Sequence, residues 1–213
     1  MRYNLHTHRT PPPGEAGIVN CYPDEMRPDT WFSIGIHPWR IDLARMNSDL
    51  DAMEIEMQNE NCLAIGECGL DKRIETPLSE QITAFESQLA LAQHHGKPVI
   101  IHCVAAFDEV MAILKTMKIS IPVIFHGFSK SAELAQQLVS RGYYLSFGKY
   151  LLRNPELSFV LKGIPGNQYF LETDTIEESL EAVYARAATA RGLSVEEIEK
   201  EVKENFLEVF KCN

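Results

Sequence analysis

The chain has 213 residues, 45% apolar and 23% charged, the balance of an ordinary soluble globular protein rather than a disordered or membrane-embedded one. A formal net charge of −10 argues against a surface built throughout for nucleic acid, and five cysteines with no C-x-x-C pair argue against a disulfide frame. The N-terminal residues lack the apolar run of a signal peptide, and the longest apolar stretches are too short to cross a bilayer. The expectation is one domain over residues 1–213, cytoplasmic, with free thiols at Cys21, Cys62, Cys68, Cys103 and Cys212.

Eight short apolar runs read as β-strands: residues 3–8, 17–22, 31–37, 62–67, 99–102, 123–128, 143–148 and 168–174. The Pro-rich stretch after the first strand, residues 9–17, reads as irregular. Helical patterns lie between the later strands. Pro77 stands at a first turn, Ile82, Phe85, Leu89 and Ala92 recur on one face, and Gly96 follows as a C-terminal cap. Residues 131–140 end before Gly142, and 178–191 before Gly192. Ser194 and Glu197 form a capping box that opens a last helix with Ile198, Val202 and Phe206 inward.

Strands alternating with helices imply a parallel sheet with crossovers, and eight of them imply closure into a (β/α)8 TIM-type barrel. Few residues separate His8 from Glu67 for three units, so the barrel should be distorted, with the first two N-terminal connections lacking full helices. An open doubly wound sheet is the second architecture. It leaves unexplained why early and late strands all end in residues that bind metals.

Those residues are His6, His8, Glu67, His102, His126 and Asp174, each at the C-terminal tip of its run. A barrel enzyme builds its active site from that end of its strands. Strand alternation turns His6 and His8 to one side, so both imidazoles can reach one ion. Any one of these histidines taken singly is more often a satisfied core residue than a ligand, but the shared position of all six points to metal. The same alternation turns Cys68 and Cys103 away from the metals. His94 and His95, at a helix end beside Gly96, read as structural.

The motifs carry a resemblance. His6-Thr-His8, Ala64-Ile-Gly-Glu-Cys-Gly-Leu-Asp71, Pro98-Val-Ile-Ile-His102, Phe125-His-Gly-Phe-Ser129 and Leu171-Glu-Thr-Asp174 resemble, in order, the motif series of the TatD family of metal-dependent deoxyribonucleases. Gly35-Ile-His-Pro38 and Asn205-Phe-Leu-Glu-Val-Phe210 resemble further segments of it. The resemblance implies a barrel with two divalent ions (zinc, manganese or magnesium) that hydrolyses DNA phosphodiesters, often from a 3′ end. It implies that His6, His8 and Asp174 hold one ion, that His102 and His126 hold the other, and that Glu67 bridges them.

Asp174 is the candidate base for the attacking water. His37, Lys72, Arg73 and Lys130, beside strand ends, are candidates to contact substrate phosphates. Asn4 and Glu172 are candidates to hydrogen-bond ligands from behind. The expected partner is DNA, single-stranded or with frayed ends, because the cations after the strands are few and the last two helices are acidic.

Three positions depart from the family pattern. Asn4 stands where an Asp is usual, Trp39 where a His often follows the Pro, and Val104 where a basic residue often follows the fifth-strand His. Two other functions keep the barrel: metal-dependent amide or ester hydrolysis, and non-catalytic nucleic-acid binding.

Overall fold

The computed structural model describes residues 1–211, and Cys212 lies outside them. Eight strands form one sheet in the order β1 to β8: β1 Arg2–Thr7, β2 Glu15–Cys21, β3 Phe32–Ile34, β4 Cys62–Asp71, β5 Val99–Val104, β6 Val123–Phe125, β7 Tyr144–Phe147 and β8 Tyr169–Leu171. The described pairings are parallel. Thr7 of β1 bridges Asp174 beyond β8, so the order closes on itself and the topology is that of a (β/α)8 barrel. As expected, no helix joins β1 to β2 or β2 to β3.

The helices are α1 Met46–Glu56, α2 Leu78–His95, α3 Phe107–Thr116, α4 Ala132–Val139, α5 Lys149–Arg153, α6 Glu156–Lys162, α7 Leu180–Arg191 and α8 Val195–Phe210. Two compact units are distinguishable: Met1–Val19 with the chain from Ile124 onward, and Asn20–Val123.

In the first unit, β1 pairs with β2 and its side chains Tyr3 and Leu5 are buried. The Tyr184 hydroxyl of α7 accepts from the Tyr3 amide at 2.9 Å and donates to the Tyr3 carbonyl at 2.8 Å, which fixes the strand that carries His6 and His8. Helix α8 opens with the Ser194–Glu197 capping box and lays Phe206 and Phe210 against Tyr3 and Phe170. Asn205 donates to the Gly166 and Tyr169 carbonyls, which ties α8 to the start of β8.

In the second unit, β4 runs four residues past the predicted end, to Asp71. Glu67 therefore lies inside a strand, at an irregularity where the pairing shifts between Ile65 and Cys68, and not at a strand tip. Gly66 lies within the predicted strand and Gly69 beyond it, and both permit a close approach. Gly69 adopts a φ of 140°, and a Cβ there would collide with the His102 carbonyl oxygen.

Helix α2 buries Gln81, Ala84, Phe85, Gln88, Leu89 and Ala92. Ile82, expected on this face, is only half-buried, and two glutamines share the inward stripe instead. Gln88 Oε1 accepts from the Ile36 amide at 2.7 Å, and its Nε2 donates to the Ile36 and Ala84 carbonyls. Gln81 does the same for Asp71, accepting from its amide and donating to its carbonyl. Each glutamine thus ties both backbone polar groups of one residue to α2.

Gln88→Leu keeps the volume but strands two buried polar groups of Ile36, each costing about 1–3 kcal/mol. The expected result is a loss of roughly 2–6 kcal/mol in urea unfolding. An unchanged midpoint would show that the clamp contributes nothing.

Candidate metal centre

In the first unit, β1 holds His6, its next residue but one is His8, and β6 ends just before His126. His6 Nε2 lies 3.7 Å and His8 Nε2 3.5 Å from the same Asp174 carboxylate oxygen, Oδ1. Donor atoms about 2.1 Å from a shared tetrahedral ion stand roughly 3.4 Å apart, so this spacing fits a divalent cation. The His126 ring packs 4.6 Å from His6, and its Nδ1 faces Glu172 Oε1 at 3.4 Å. That contact favours the proton on Nδ1 and turns Nε2 toward the role of ligand.

Glu172 is fully buried and also accepts from the Gly127 amide at 2.7 Å. Burial pushes its carboxyl up, but the His126 and His6 imidazoles and the Ser146 hydroxyl outweigh this, holding it below the usual carboxylate range.

Asp174 has a φ of 53°, in the left-handed region. Its backbone is held there by two hydrogen bonds with β1: its amide donates to the His6 carbonyl, and the His8 amide donates to its own. Asn4 helps from behind. Its Oδ1 accepts from the Thr173 amide at 3.0 Å and its Nδ2 donates to the Thr173 hydroxyl at 2.8 Å, so it grips the residue before Asp174 at both ends.

In the second unit, Glu67 Oε1 lies 2.7 Å from His102 Nδ1 and 3.3 Å from His37 Nε2. The donor atoms of His37, Glu67 and His102 all fall within 4.8 Å of one another, a group able to hold a metal. Sequence reasoning gave His37 to substrate and not to this cluster. Its tautomer decides what it can do. His37 Nδ1 accepts from the Trp39 amide at 3.1 Å, so the proton sits on Nε2, and that N–H points at Glu67. His37 is therefore a donor to the carboxylate or to a bound anion, while Glu67 and His102 carry the ligand lone pairs.

Asp71 enters unforeseen. Its Oδ2 lies 3.4 Å from His102 Nε2 and accepts from the Trp39 indole N–H at 2.9 Å, and its Oδ1 accepts from the Arg73 amide. Burial pushes the Asp71 carboxyl up, but the Trp39, Arg73 and His102 hydrogen bonds bring it below its usual range. A carboxylate behind a ligating imidazole fixes its ring and raises its basicity. The signal lay in Gly-Leu-Asp71, within the quoted motif, but only the extension of β4 aims Asp71 at His102.

The cationic candidates fare unevenly. Lys72 Nζ is 2.7 Å from Glu109, which competes with any phosphate for it. Among the described residues Arg73 and Lys130 make no ion pair; Arg73 is exposed and Lys130 half-buried at the start of α4. Cys68 is buried beside Glu67, and burial raises its thiol well above the ordinary range; Cys62 is likewise pushed up to about 12.

A model of the TatD-related DNases matches residues 22–211. A 3′-5′ ssDNA/RNA exonuclease TatD from Edwardsiella piscicida is 32% identical over 163 residues, 74% of this chain and 60% of that protein. Its counterpart from Klebsiella pneumoniae is 34% identical, over 68% of this chain and 56% of that protein. A metal-dependent hydrolase from Haemophilus influenzae is 31% identical over 74% of this chain and 62% of its own length. The chain thus spans roughly 60% of the length of the curated relatives it matches.

The crystal structure of YJJV, a TatD homologue from Escherichia coli K12, superposes with a TM-score of 0.84, covering 100% of this chain and 98% of that one at 22% identity. A TatD-family hydrolase from Entamoeba histolytica gives a TM-score of 0.74 over 84% of this chain and 74% of that one, at 19% identity. The barrel is therefore that of the TatD structures. Among the described residues no helix is long and apolar enough to cross a membrane.

Proposed function

The chain belongs to the TatD-related DNase family, and from that premise we propose that residues 1–213 form one catalytic domain, a metal-dependent 3′-5′ exonuclease acting on single-stranded or frayed DNA or RNA. One observation carries the reading: histidine and carboxylate donors stand at coordination spacing in both units, each with a hydrogen-bonded carboxylate behind an imidazole.

In this reading, as the family resemblance implies, His6, His8 and Asp174 would hold one divalent ion and His102 and His126 a second, with Glu67 available to both. Manganese or zinc suits so many imidazoles, and magnesium suits the carboxylate oxygens. Bound there, such ions supply charge stabilisation for an in-line displacement and a lowered pKa for a water.

The chain's own residues do the rest. Asp174 accepts the proton of the attacking water at a carboxylate oxygen, while the water oxygen bonds to phosphorus, the bond to the leaving sugar oxygen breaks, and that oxygen takes up a proton from solvent. Glu172 and Asp71 keep His126 and His102 in the ligating tautomer. The Nε2–H of His37 donates to a phosphate oxygen once Glu67 is engaged elsewhere, and Arg73 and Lys130 contact flanking phosphates. Lys72 joins them only by leaving Glu109.

The test is a single-stranded oligonucleotide labelled at its 5′ end and incubated with the protein and manganese or magnesium. The expected product is a ladder shortening from the 3′ end. An intact oligonucleotide under every metal, or hydrolysis of p-nitrophenyl esters alone, would overturn the assignment.

A further inference from the structure

Trp39 is two-thirds exposed (66%), yet it is held in place at both ends. It sits in a 3-10 turn, Pro38–Arg40, whose first cap is His37. Its amide donates to His37 Nδ1 and its indole N–H donates to Asp71 Oδ2 at 2.9 Å. Its ring centroid lies 5.1 Å from that of His37 and 6.2 Å from that of His102, each at a steep angle. A large apolar ring left open to water gains nothing from burial. A core explanation fails for the same reason, and the polar edge that usually draws a tryptophan outward is already satisfied inward, by Asp71.

What remains in solvent is aromatic surface of fixed orientation, two residues from the His37 Nε2–H that points at Glu67 and beside a proposed metal ligand. Base-to-aromatic stacking suits this surface, because every nucleobase has a π-face and the ring has little freedom left to lose. Resting on the exonuclease reading above, we propose that Trp39 is a substrate-binding platform on which a nucleobase of the single strand stacks, adjacent to the phosphodiester being cleaved. The platform accepts any base, since stacking is sequence-tolerant, and its Asp71 anchor couples base binding to the setting of His102.

The experiment compares wild type, Trp39→Ala and Trp39→Phe in steady-state hydrolysis of a short single-stranded oligonucleotide. Each protein is also tested on the same strand with abasic residues at the 3′ end. Stacking predicts that Trp39→Ala raises KM roughly 10- to 100-fold on the normal strand. It predicts that Trp39→Phe, which keeps a ring but loses the N–H, recovers most of this. It predicts that the abasic strand costs the wild type about as much as the mutation does, and costs Trp39→Ala little more.

Equal KM for wild type and Trp39→Ala would overturn the platform. So would equal losses in Trp39→Ala and Trp39→Phe, which would place the effect in the Asp71 hydrogen bond. Either result leaves the exonuclease reading standing, because the wild type still cleaves. A wild type that neither binds nor cleaves the oligonucleotide removes that reading and the platform with it.

Discussion

Asp174→Asn is expected to lower the rate of oligonucleotide hydrolysis at least 10²–10⁴-fold while leaving the fold intact. The fold should survive because Asp174 occupies the left-handed region at a φ of 53°, where asparagine is nearly as well accommodated as aspartate. The bonds that hold that backbone, to the His6 carbonyl and from the His8 amide, do not involve the side chain. What changes is the oxygen that both imidazoles approach, at 3.7 and 3.5 Å. An amide there carries no charge for a cation and no lone pair basic enough to take a proton from water. Raising the metal concentration restores occupancy but not the base, so the rate should stay low at saturation. Near-normal rates in a folded Asp174→Asn protein would remove Asp174 from the chemistry.

Glu67→Gln is the second large effect, and it should respond to metal differently. Glu67 Oε1 lies 2.7 Å from His102 Nδ1 and 3.3 Å from His37 Nε2, and a glutamine oxygen can still accept from the His37 N–H at nearly the same volume, so the side chain stays in place. The loss is of charge. In the proposed arrangement one carboxylate serves two ions, so its neutralisation should weaken both together, lowering activity at limiting metal by about 100-fold or more. Because no proton acceptor is removed, excess manganese should recover a substantial part of the rate. Titration of rate against metal distinguishes the two variants. Loss of a single ion in Glu67→Gln, with the other held at wild-type affinity, would contradict the shared role.

Much of this was legible in the sequence for physical reasons that can be named. The runs Val99-Ile-Ile and Val123-Ile-Phe are β-branched and aromatic, fully buried, and each leads into a histidine, so strand and ligand were read together. Helix α8 declared itself through its capping box and apolar spacing. Helix α1 did not, because it buries only Asp49 and Met53 and has almost no apolar stripe. The far half of β4 was hidden by Gly69, whose role is close approach to the His102 carbonyl. Gln81 and Gln88 look like surface residues of an amphipathic helix until their backbone partners are known.

The relay from Trp39 through Asp71 to His102 joins three separated stretches of chain. Trp39 appeared in the sequence only as a departure from a family habit. Its meaning depends on Asp71, and Asp71 on the length of β4. The Asn4 departure resolves similarly: the amide serves Thr173 with both a donor and an acceptor, a pairing that an ionised aspartate cannot reproduce in full.

The most direct test of the account is divalent-metal binding measured on the same samples as hydrolysis. Protein stripped with chelator is titrated with manganese by calorimetry, and cleavage of the single-stranded oligonucleotide is followed at each point. The account predicts two binding events per chain, with cleavage absent from the stripped protein and rising with occupancy. Full cleavage by the stripped protein, or no divalent binding at any concentration, would contradict it.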